Sequence, residues 1–310
     1  MSADDPAAPS GRRYDTVTFL SDYGNRDEFA GVVRSVLHQL APGVAVIDLT
    51  HEIPPFDIRA GSLALARSVQ YLAPGVVLAV VDPGVGGDRR AVAVEIADGA
   101  AVLVGPDNGL LAAAVAMAGG ASRAVVLDNP EYHLGAPGPT FAGRDIFAPA
   151  AAHLCSGVDL HDLGTAIDPA HLLPGLLAIA RHEDGEVVAE VLWVDHYGNC
   201  QLNVEPDEIA ELGDRVAVTT GDRTRVARRI ATFADVGPGE LGMLVDSYGL
   251  LALVVDQASA AAELRLDAGD EVHLAAPGEA HGAASKAATS STTAAAATPV
   301  TLGRRPGAGR

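Results

Sequence analysis

Acidic side chains come directly after several strongly apolar stretches of this chain. The clearest case is the run 76–81, which is followed by Asp82, a Gly-rich turn, Arg89 and Arg90. Carboxylates gathered at one edge of a sheet favour a cation, either a metal ion or a positively charged organic substrate, and they repel phosphate. The acids placed in this way are Asp22, Asp82 and Asp107.

The apolar runs themselves predict strands that bring these acids together. Residues 76–81 form an unbroken apolar stretch, which is typical of a parallel strand buried on both faces. Stretches with helical spacing, 29–40 and 61–71, alternate with the runs, so the pattern predicts an α/β fold with a doubly wound N-terminal domain. In such sheets, ligands bind at the carboxyl ends of the strands, and the functional residues lie there. The chain contains no Gly-rich motif for a nucleotide phosphate.

A change in the sequence pattern near residue 176 predicts a second, smaller domain. Downstream, short strand-like runs alternate with Gly and Asp turns, which favours a C-terminal domain resembling a β-barrel or a sandwich. We therefore expect an α/β domain over 14–176, a β-rich domain over 186–277, and disordered tails at 1–13 and 278–310. The short runs are 187–194, 215–220, 224–230 and 271–274.

Composition limits the classes of function. A formal net charge of −19 argues against nucleic-acid binding. No apolar run reaches the roughly 18 residues of a membrane span, so we expect no membrane partner. Cys155 and Cys200 are the two cysteines, and they lie too far apart for a metal-binding motif. We interpret them as buried thiols in a reducing compartment and predict a cytoplasmic enzyme.

Five motifs in a fixed order resemble a known family. Together they are similar to the S-adenosyl-L-methionine hydroxide adenosyltransferases, whose relatives include the fluorinase and the chlorinase. The resemblance extends from about residue 16 to residue 274. The motifs are Ser21-Asp22-Tyr23-Gly24, Asp82-Pro83-Gly84-Val85-Gly86, Pro106-Asp107-Asn108-Gly109-Leu110-Leu111, Thr140-Phe141-Ala142-Gly143-Arg144-Asp145-Ile146-Phe147-Ala148-Pro149 and Asp195-His196-Tyr197-Gly198-Asn199.

The resemblance implies a reaction and an assembly. Members of the family cleave S-adenosyl-L-methionine at the ribose C5′, releasing methionine, and water or hydroxide attack leaves adenosine. S-adenosyl-L-methionine is then the substrate, and no cofactor is needed. A sulfonium substrate suits an acidic pocket. The resemblance also implies a homotrimer in which the first domain of one protomer meets the second domain of its neighbour at each site.

In the first domain the resemblance assigns residues to the nucleoside. Asp22 is expected to accept hydrogen bonds from the ribose hydroxyls, for which a carboxylate is well suited. Phe56 falls where the halogenases use an aromatic residue beside the nucleoside. Thr140, Phe141 and Gly143 are expected to form the wall around C5′. For the two phenylalanines, an ordinary place in the hydrophobic core is nearly as good an interpretation.

In the second domain the resemblance assigns residues to the two ends of the substrate. Asp195 is expected to bind the methionine ammonium, Asn199 the adenine edge and Ser247 the amino-acid end. Asn108, from the first domain, is also expected among the substrate-binding residues.

Asp82 distinguishes a hydrolase from a halogenase in this resemblance. The fluorinase has a tyrosine here and the chlorinase also lacks the acid, because a carboxylate would repel a bound halide. Asp82 followed seven residues later by Arg89 matches the hydrolases. The pair is expected to orient a water molecule and to take up its proton. Arg90 would point to the other face if the segment is extended.

One position departs from the resemblance. The hydrolases carry a histidine where this chain has Ala142, and a methyl group can neither accept a proton nor bind the water. His133 lies on the approach segment and could compensate. Two alternatives to a hydrolase or a halogenase-like enzyme therefore stay open. They are a nucleoside-binding protein with weak turnover and a metal-dependent hydrolase with Asp22, Asp82 and Asp107 as ligands.

Overall fold

The computed structural model describes residues 13–175 and 178–278. Apart from Arg13 and Gly278, the two expected tails lie outside the described residues. Within the described ranges, five α-helices and fifteen strands form two units, an α/β sheet followed by a barrel, and the predicted fold class is confirmed.

The helices and strands follow one another along both units. The helices are α1 (Phe29–Leu40), α2 (Ile58–Ser68), α3 (Ala112–Met117), α4 (Ala148–Cys155) and α5 (Ala260–Leu264). The strands are β1 (Thr16–Ser21), β2 (Ala45–Thr50), β3 (Gly75–Val80), β4 (Ala91–Ile96), β5 (Ala101–Pro106), β6 (Ala121–Val126), β7 (Thr165–Ile167), β8 (Arg181–Glu183), β9 (Glu186–Val194), β10 (Cys200–Leu202), β11 (Arg215–Thr220), β12 (Arg223–Arg229), β13 (Leu241–Val245), β14 (Leu251–Val255) and β15 (Glu271–Ala275).

The first sheet has seven strands in the order β2-β1-β3-β5-β4-β6-β7. Strands β2, β1, β3 and β5 run parallel, as the apolar runs predict. The sheet is mixed, however, because β4, β6 and β7 each pair antiparallel with the preceding strand in that order. The carboxyl ends of β1 and β3 lie side by side, which places Asp22 and Asp82 on adjacent strand ends.

Helices cover both faces of this sheet because its central strands are apolar on both. Alternate residues of β1 illustrate this: Phe19 packs into the core on the side of α1 and α4, and Leu20 into the core on the side of α2 and α3. All six residues of β3 are buried. Burial on both faces fixes the sheet as the central layer of three and leaves the strand ends to carry polar residues.

The second unit is a closed antiparallel barrel with one parallel pair. The chain of pairings runs β10-β14-β13-β12-β11-β15-β9, and β10 also pairs with β9, so the seven strands close on themselves while β8 adds to β9 from outside. Closure removes free edges from the sheet. The barrel core is filled by aliphatic side chains such as Val191, Met243, Leu253 and Leu274.

None of the helices in the part of the chain that the structure describes has the length and apolar character needed to cross a bilayer.

Candidate active site

A partly buried carboxylate and arginine pair lies beyond the end of β3. Arg89 Nε donates to both carboxylate oxygens of Asp82 at 3.0 Å, and Arg89 Nη2 donates to Oδ2 at 2.6 Å. The Arg89 guanidinium lies over the Phe147 ring, with its carbon 5.4 Å from the ring centroid. A bidentate pair of this kind is a strong and directional form of hydrogen bond. The acid is therefore held in one orientation.

The Asp82 side chain belongs to the wall of a cavity of about 280 Å³. Five parts of the chain meet there: the turn after β1, the start of α1, the segment before α2, the turn after β3 and the segment before α4. Carboxylates and aromatic rings share the wall, which suits a positively charged organic group. The lining residues are Asp22, Tyr23, Phe29, Pro55, Phe56, Asp82, Val85, Thr140, Phe141, Ala142 and Gly143.

Asp22 faces the same cavity with one oxygen already engaged. The backbone N–H of Phe56 donates to Asp22 Oδ2 at 2.9 Å, and Phe56 holds a left-handed backbone conformation, with φ of 69°. The Phe56 side chain is 72% exposed at the rim. Burial raises the pKa of Asp22, the Phe56 hydrogen bond opposes this, and the nearby charge of Asp82 adds to the increase. Asp22 therefore retains acceptor capacity for a hydroxyl donor.

A buried chain of hydrogen bonds supports the turn that carries Asp22. Ser21 Oγ lies 2.8 Å from His51 Nδ1, and His51 Nε2 lies 3.0 Å from Asp48 Oδ1. The backbone N–H of Tyr23 donates to Ser21 Oγ at 3.3 Å, and that of Gly24 donates to the His51 carbonyl at 2.7 Å. Ser21 is fully buried and does not line the cavity. These hydrogen bonds therefore position the turn, and Ser21 does not act as a nucleophile in the cavity.

Aromatic rings pack tightly behind Gly143. A Cβ atom at this position would lie 2.2 Å from the Tyr23 hydroxyl oxygen, so only glycine fits. The Phe141 ring meets the Tyr23 ring edge to face, with centroids 5.7 Å apart, and the Phe29 ring at 5.1 Å. Such contacts give a rigid apolar wall. Phe141 and Phe56 both line the cavity, so neither is only a core residue.

Ala142 lies in the cavity wall directly before the π-helical turn Gly143–Phe147. Its side chain is 6% exposed, and it brings no polar group beside Asp82. His133 is not among the lining residues, and its Nε2 is buried with no partner in the described part of the chain. Among the described residues that line this cavity, none carries an imidazole.

The residues predicted for the substrate in the second domain gather around another cavity, of about 530 Å³. Asp195 lies in the turn between β9 and β10, where its Oδ1 accepts from the N–H groups of Tyr197 and Asn199, both at 2.9 Å. Asn199 Nδ2 donates to Asp195 Oδ2 at 2.8 Å. Among the described residues, no group donates to the side-chain amide oxygen of Asn199, so this oxygen can accept a hydrogen bond from a ligand. Ser247, in the turn between β13 and β14, lines the same cavity.

This cavity continues into a neighbouring one of about 510 Å³. The two share Tyr197, Asn199 and Phe233 in their walls, so Asn199 stands between them. The residues Tyr197 and Phe233 are 77% and 59% exposed. Two adjoining compartments with an amide between them suit a ligand with two chemically different ends.

Asn108 and Asp107 are not brought into the first cavity. Asn108 Nδ2 donates to the Val81 carbonyl at 2.9 Å, so it fixes the end of β3. Asp107 pairs with Arg90 and accepts from the Leu173 N–H at 2.8 Å. The expected gathering of three acids is therefore limited to Asp22 and Asp82. Throughout residues 13–175 and 178–278, no three His, Cys, Asp or Glu side chains form a group that could hold a metal.

Several lining residues are missing from the sequence predictions. Tyr23 and Val85 stand beside residues that the motifs single out, so motif neighbourhood could have suggested them. Arg67 gives no such signal, because it lies on α2 in the first domain and reaches the cavity of the second. Trp193 on β9 and Gln201 on β10 lie within strands, where the strand pattern gives no signal that their side chains line a cavity.

Comparison with known proteins assigns both units. Residues 17–164 match the model of the SAM hydroxide adenosyltransferase N-terminal domain, and residues 189–273 match that of the C-terminal domain. The (R)-S-adenosyl-L-methionine hydrolase of Salinispora tropica is 45% identical over 84% of this chain and 97% of its own length. The hydrolase of the same name from Thermus thermophilus is 41% identical over 83% and 98%. The crystal structure of a conserved protein from Thermotoga maritima superposes with a TM-score of 0.77 at 33% identity, covering 84% of this chain and 99% of that chain.

Proposed function

The chain belongs to the SAM hydroxide adenosyltransferase family, and on this premise we propose that it hydrolyses S-adenosyl-L-methionine to adenosine and L-methionine. The observation that carries the proposal is the Asp82 carboxylate, held by Arg89 in the wall of a cavity that also contains Asp22. A cavity with two carboxylates is suited to a sulfonium substrate and unsuited to a halide nucleophile.

The reaction assigned to this cavity is a displacement at C5′. A lone pair of the water oxygen forms the new bond to C5′, while the C5′–S bond breaks and its electrons go to sulfur, giving a neutral thioether. The water proton goes to the Asp82 carboxylate and from there to solvent. Arg89 keeps the carboxylate oriented towards the water. Fixed geometry of water, carbon and sulfur supplies much of the rate, because positioning can lower a barrier by about 7–11 kcal/mol.

The remaining residues of the cavity hold the nucleoside. Asp22 accepts hydrogen bonds from the ribose hydroxyls, Phe56 covers the ring system at the rim, and Thr140, Phe141 and Gly143 keep bulk water away from C5′. Their common place in one wall supports these roles. In the second domain, Asp195 binds the ammonium with the acceptor site that its three hydrogen bonds leave, Asn199 binds adenine, and Ser247 binds the amino-acid end.

We further propose that the enzyme works as a homotrimer with each site between two protomers. The Asp22 and Asp82 set and the Asp195 and Asn199 set line different cavities of the chain, and this separation supports a site to which a neighbour contributes the second set. A cytoplasmic location fits the two buried free thiols. Burial raises the pKa of the Cys200 thiol to about 12, which keeps it unreactive.

Ala142 favours a second candidate function. Among the described residues, the wall beside Asp82 lacks the imidazole that the family resemblance implies. A protein of this kind binds the nucleoside part of S-adenosyl-L-methionine and cleaves the substrate only slowly. Single-turnover analysis separates this from an efficient hydrolase, because a binding protein would release unchanged S-adenosyl-L-methionine.

The deciding experiment is incubation with S-adenosyl-L-methionine, with and without chloride, followed by chromatography. We expect equal amounts of adenosine and methionine, unaffected by chloride. 5′-Chloro-5′-deoxyadenosine as the main product, or untouched substrate at high enzyme concentration, would overturn the proposed hydrolysis. The same assay with a chelator-treated enzyme tests the metal-dependent alternative.

A further inference from the structure

Arg67 is an arginine of the first domain that lines the larger cavity of the second. It lies near the end of α2, and its guanidinium carbon is 4.9 Å from the centroid of the Trp193 ring and 5.4 Å from that of Tyr248. Its Nη1 donates to Gln201 Oε1 at 3.3 Å. Within the described residues, this cavity has no other cationic side chain in its wall.

The contacts of Arg67 leave most of its donors available. Stacking on ring faces uses the plane of the guanidinium and leaves its N–H groups at the edge. Among the described residues, only the Gln201 amide oxygen accepts from that edge. Gln201 itself donates to Asp246, so the cation is joined to a fixed network. A guanidinium held in one plane with free edge donors is prepared for a planar, bidentate acceptor.

The two acids in the wall of this cavity, Asp195 and Asp246, are held in the same way by their own turns. Asp246 Oδ1 accepts from the N–H groups of Tyr248 and Leu250, and its Oδ2 accepts from Gln201. It closes its own turn in the way that Asp195 closes the turn after β9. The cavity therefore offers Arg67 as a cation and the two turn acids as anions, which is the arrangement that an α-amino acid group requires.

We propose that Arg67 binds the α-carboxylate of the amino-acid end of the substrate, opposite the ammonium held by Asp195. The inference rests on the proposed function, because it takes S-adenosyl-L-methionine as the ligand. It makes Arg67 a specificity-determining residue that distinguishes an amino acid from the corresponding amine. It also makes the second-domain cavity depend on a residue of the first domain.

The test compares two substrates that differ only in this carboxylate. We expect the parent enzyme to use S-adenosyl-L-methionine about 10- to 100-fold better than its decarboxylated analogue, as measured by kcat/KM, because a charge-assisted hydrogen bond is lost. In Arg67→Met this preference should disappear through a higher KM for the natural substrate. Arg67→Lys, which keeps the charge without the planar fork, should recover only part of it.

Arg59→Met is the matched control. Arg59 lies on the same helix and pairs with Glu190 across the two units, but it lines neither cavity. This variant should retain the full preference. Equal use of both substrates by the parent, or an unchanged preference in Arg67→Met, would overturn the role of Arg67.

A binding measurement keeps this outcome separate from the proposed reaction. If the parent does not cleave S-adenosyl-L-methionine, the hydrolase proposal fails. Calorimetry with L-methionine and 3-(methylsulfanyl)propylamine then tests Arg67 alone. Tighter binding of methionine by the parent, lost in Arg67→Met, supports the carboxylate site, and equal binding of the two compounds excludes it.

Discussion

The guanidinium of Arg89 holds both carboxylate oxygens of Asp82, while the adjacent Arg90 holds Asp107. Two neighbouring arginines thus serve two acids that line different cavities. The chain thereby offers one ion pair inside the proposed active site and a closely similar pair outside it. Variants of the two pairs can therefore be compared to separate an effect on the reaction rate from an effect on the stability of the fold.

Asp82→Asn should reduce kcat by roughly 10²–10⁴ if the carboxylate takes the proton of the attacking water. The amide keeps the shape of the side chain and loses its basicity. The matched control is Asp107→Asn, which removes a similar charge outside the cavity and should lower thermal stability with little effect on kcat. Similar loss of kcat in both variants would assign Asp82 to structure alone.

Ala142→His should raise kcat and leave KM little changed. The new imidazole would contact the nucleophile, which matters in the transition state more than in the ground state. The pH profile should gain an ionisation near the ordinary histidine value of about 6.5. The comparison variant is His133→Ala. If it abolishes activity while Ala142→His has no effect, His133 performs the proton transfer after rearrangement of its segment.

Asp22→Asn should stabilise the fold at neutral pH and weaken substrate binding. Burial raises the pKa of Asp22 in the folded state, so the ionised form costs stability at every pH above that raised value. This cost falls as the pH drops through the folded pKa, and it is absent below the ordinary value near 3.8. Thermal unfolding of parent and variant across this range measures the effect. A stability difference that grows on acidification would contradict it.

His51→Phe should raise KM and lower the free energy of unfolding by about 1–3 kcal/mol, because the buried Ser21 hydroxyl loses the His51 ring nitrogen and keeps only the longer hydrogen bond from the Tyr23 N–H. The phenyl ring can keep the edge contact with Phe19, whose centroid is 4.5 Å from that of His51. Adding Ser21→Ala should cost less in the His51→Phe background than in the parent, since the two residues act as one unit. Additive losses in urea unfolding would show that they are independent.

Mixing protomers tests whether the site is shared. Asp82→Asn and Asp195→Ala proteins should each be weakly active, and a mixture allowed to exchange subunits should recover activity at interfaces that combine an intact first domain with an intact second domain. Sedimentation of the same samples gives the oligomeric state. A fully active monomer, or no recovery after proven exchange, would contradict a site between protomers.

Local pattern was sufficient for the parallel part of the sheet. Strands β3 and β5 are continuous apolar runs, β1 has Val17, Phe19 and Leu20 among two threonines and a serine, and α1 begins and ends where its apolar spacing predicts. Four of the barrel strands, β9, β11, β12 and β15, were also visible as short runs. In these elements burial dictates the sequence directly, so periodicity is enough.

The antiparallel edge could not be derived in the same way. Strand β4 carries the buried Glu95, which pairs with Arg123 on β6 and accepts from Ser122. The Arg123 hydrogen bond is the largest cause that lowers the pKa of Glu95 to about 2. Glu95 and its partners are far apart in sequence, so no local pattern indicates that this ionised acid is paired with an arginine within the sheet.

In the site, too, some residues could be predicted from local sequence patterns and others depend on tertiary packing. Asp22 and Asp82 follow from motifs at strand ends, the 140–143 segment follows from the motif before α4, and the structure brings all of them together in one wall. The engagement of Asn108 with a strand end and the entry of Arg67 into the other domain depend on tertiary packing. The roles assigned to the site residues stay predictions.

The contact between Tyr23 and Gly143 constrains how this protein can change over evolutionary time. Since a Cβ at position 143 would overlap the Tyr23 hydroxyl oxygen, position 143 cannot gain a side chain while Tyr23 holds its present place. A lineage that acquires a side chain at 143 must first, or simultaneously, replace the tyrosine at 23 with something shorter. The two positions are expected to covary among descendants, and an ancestral reconstruction that pairs a large residue at both would place two side chains in the same space of the cavity wall.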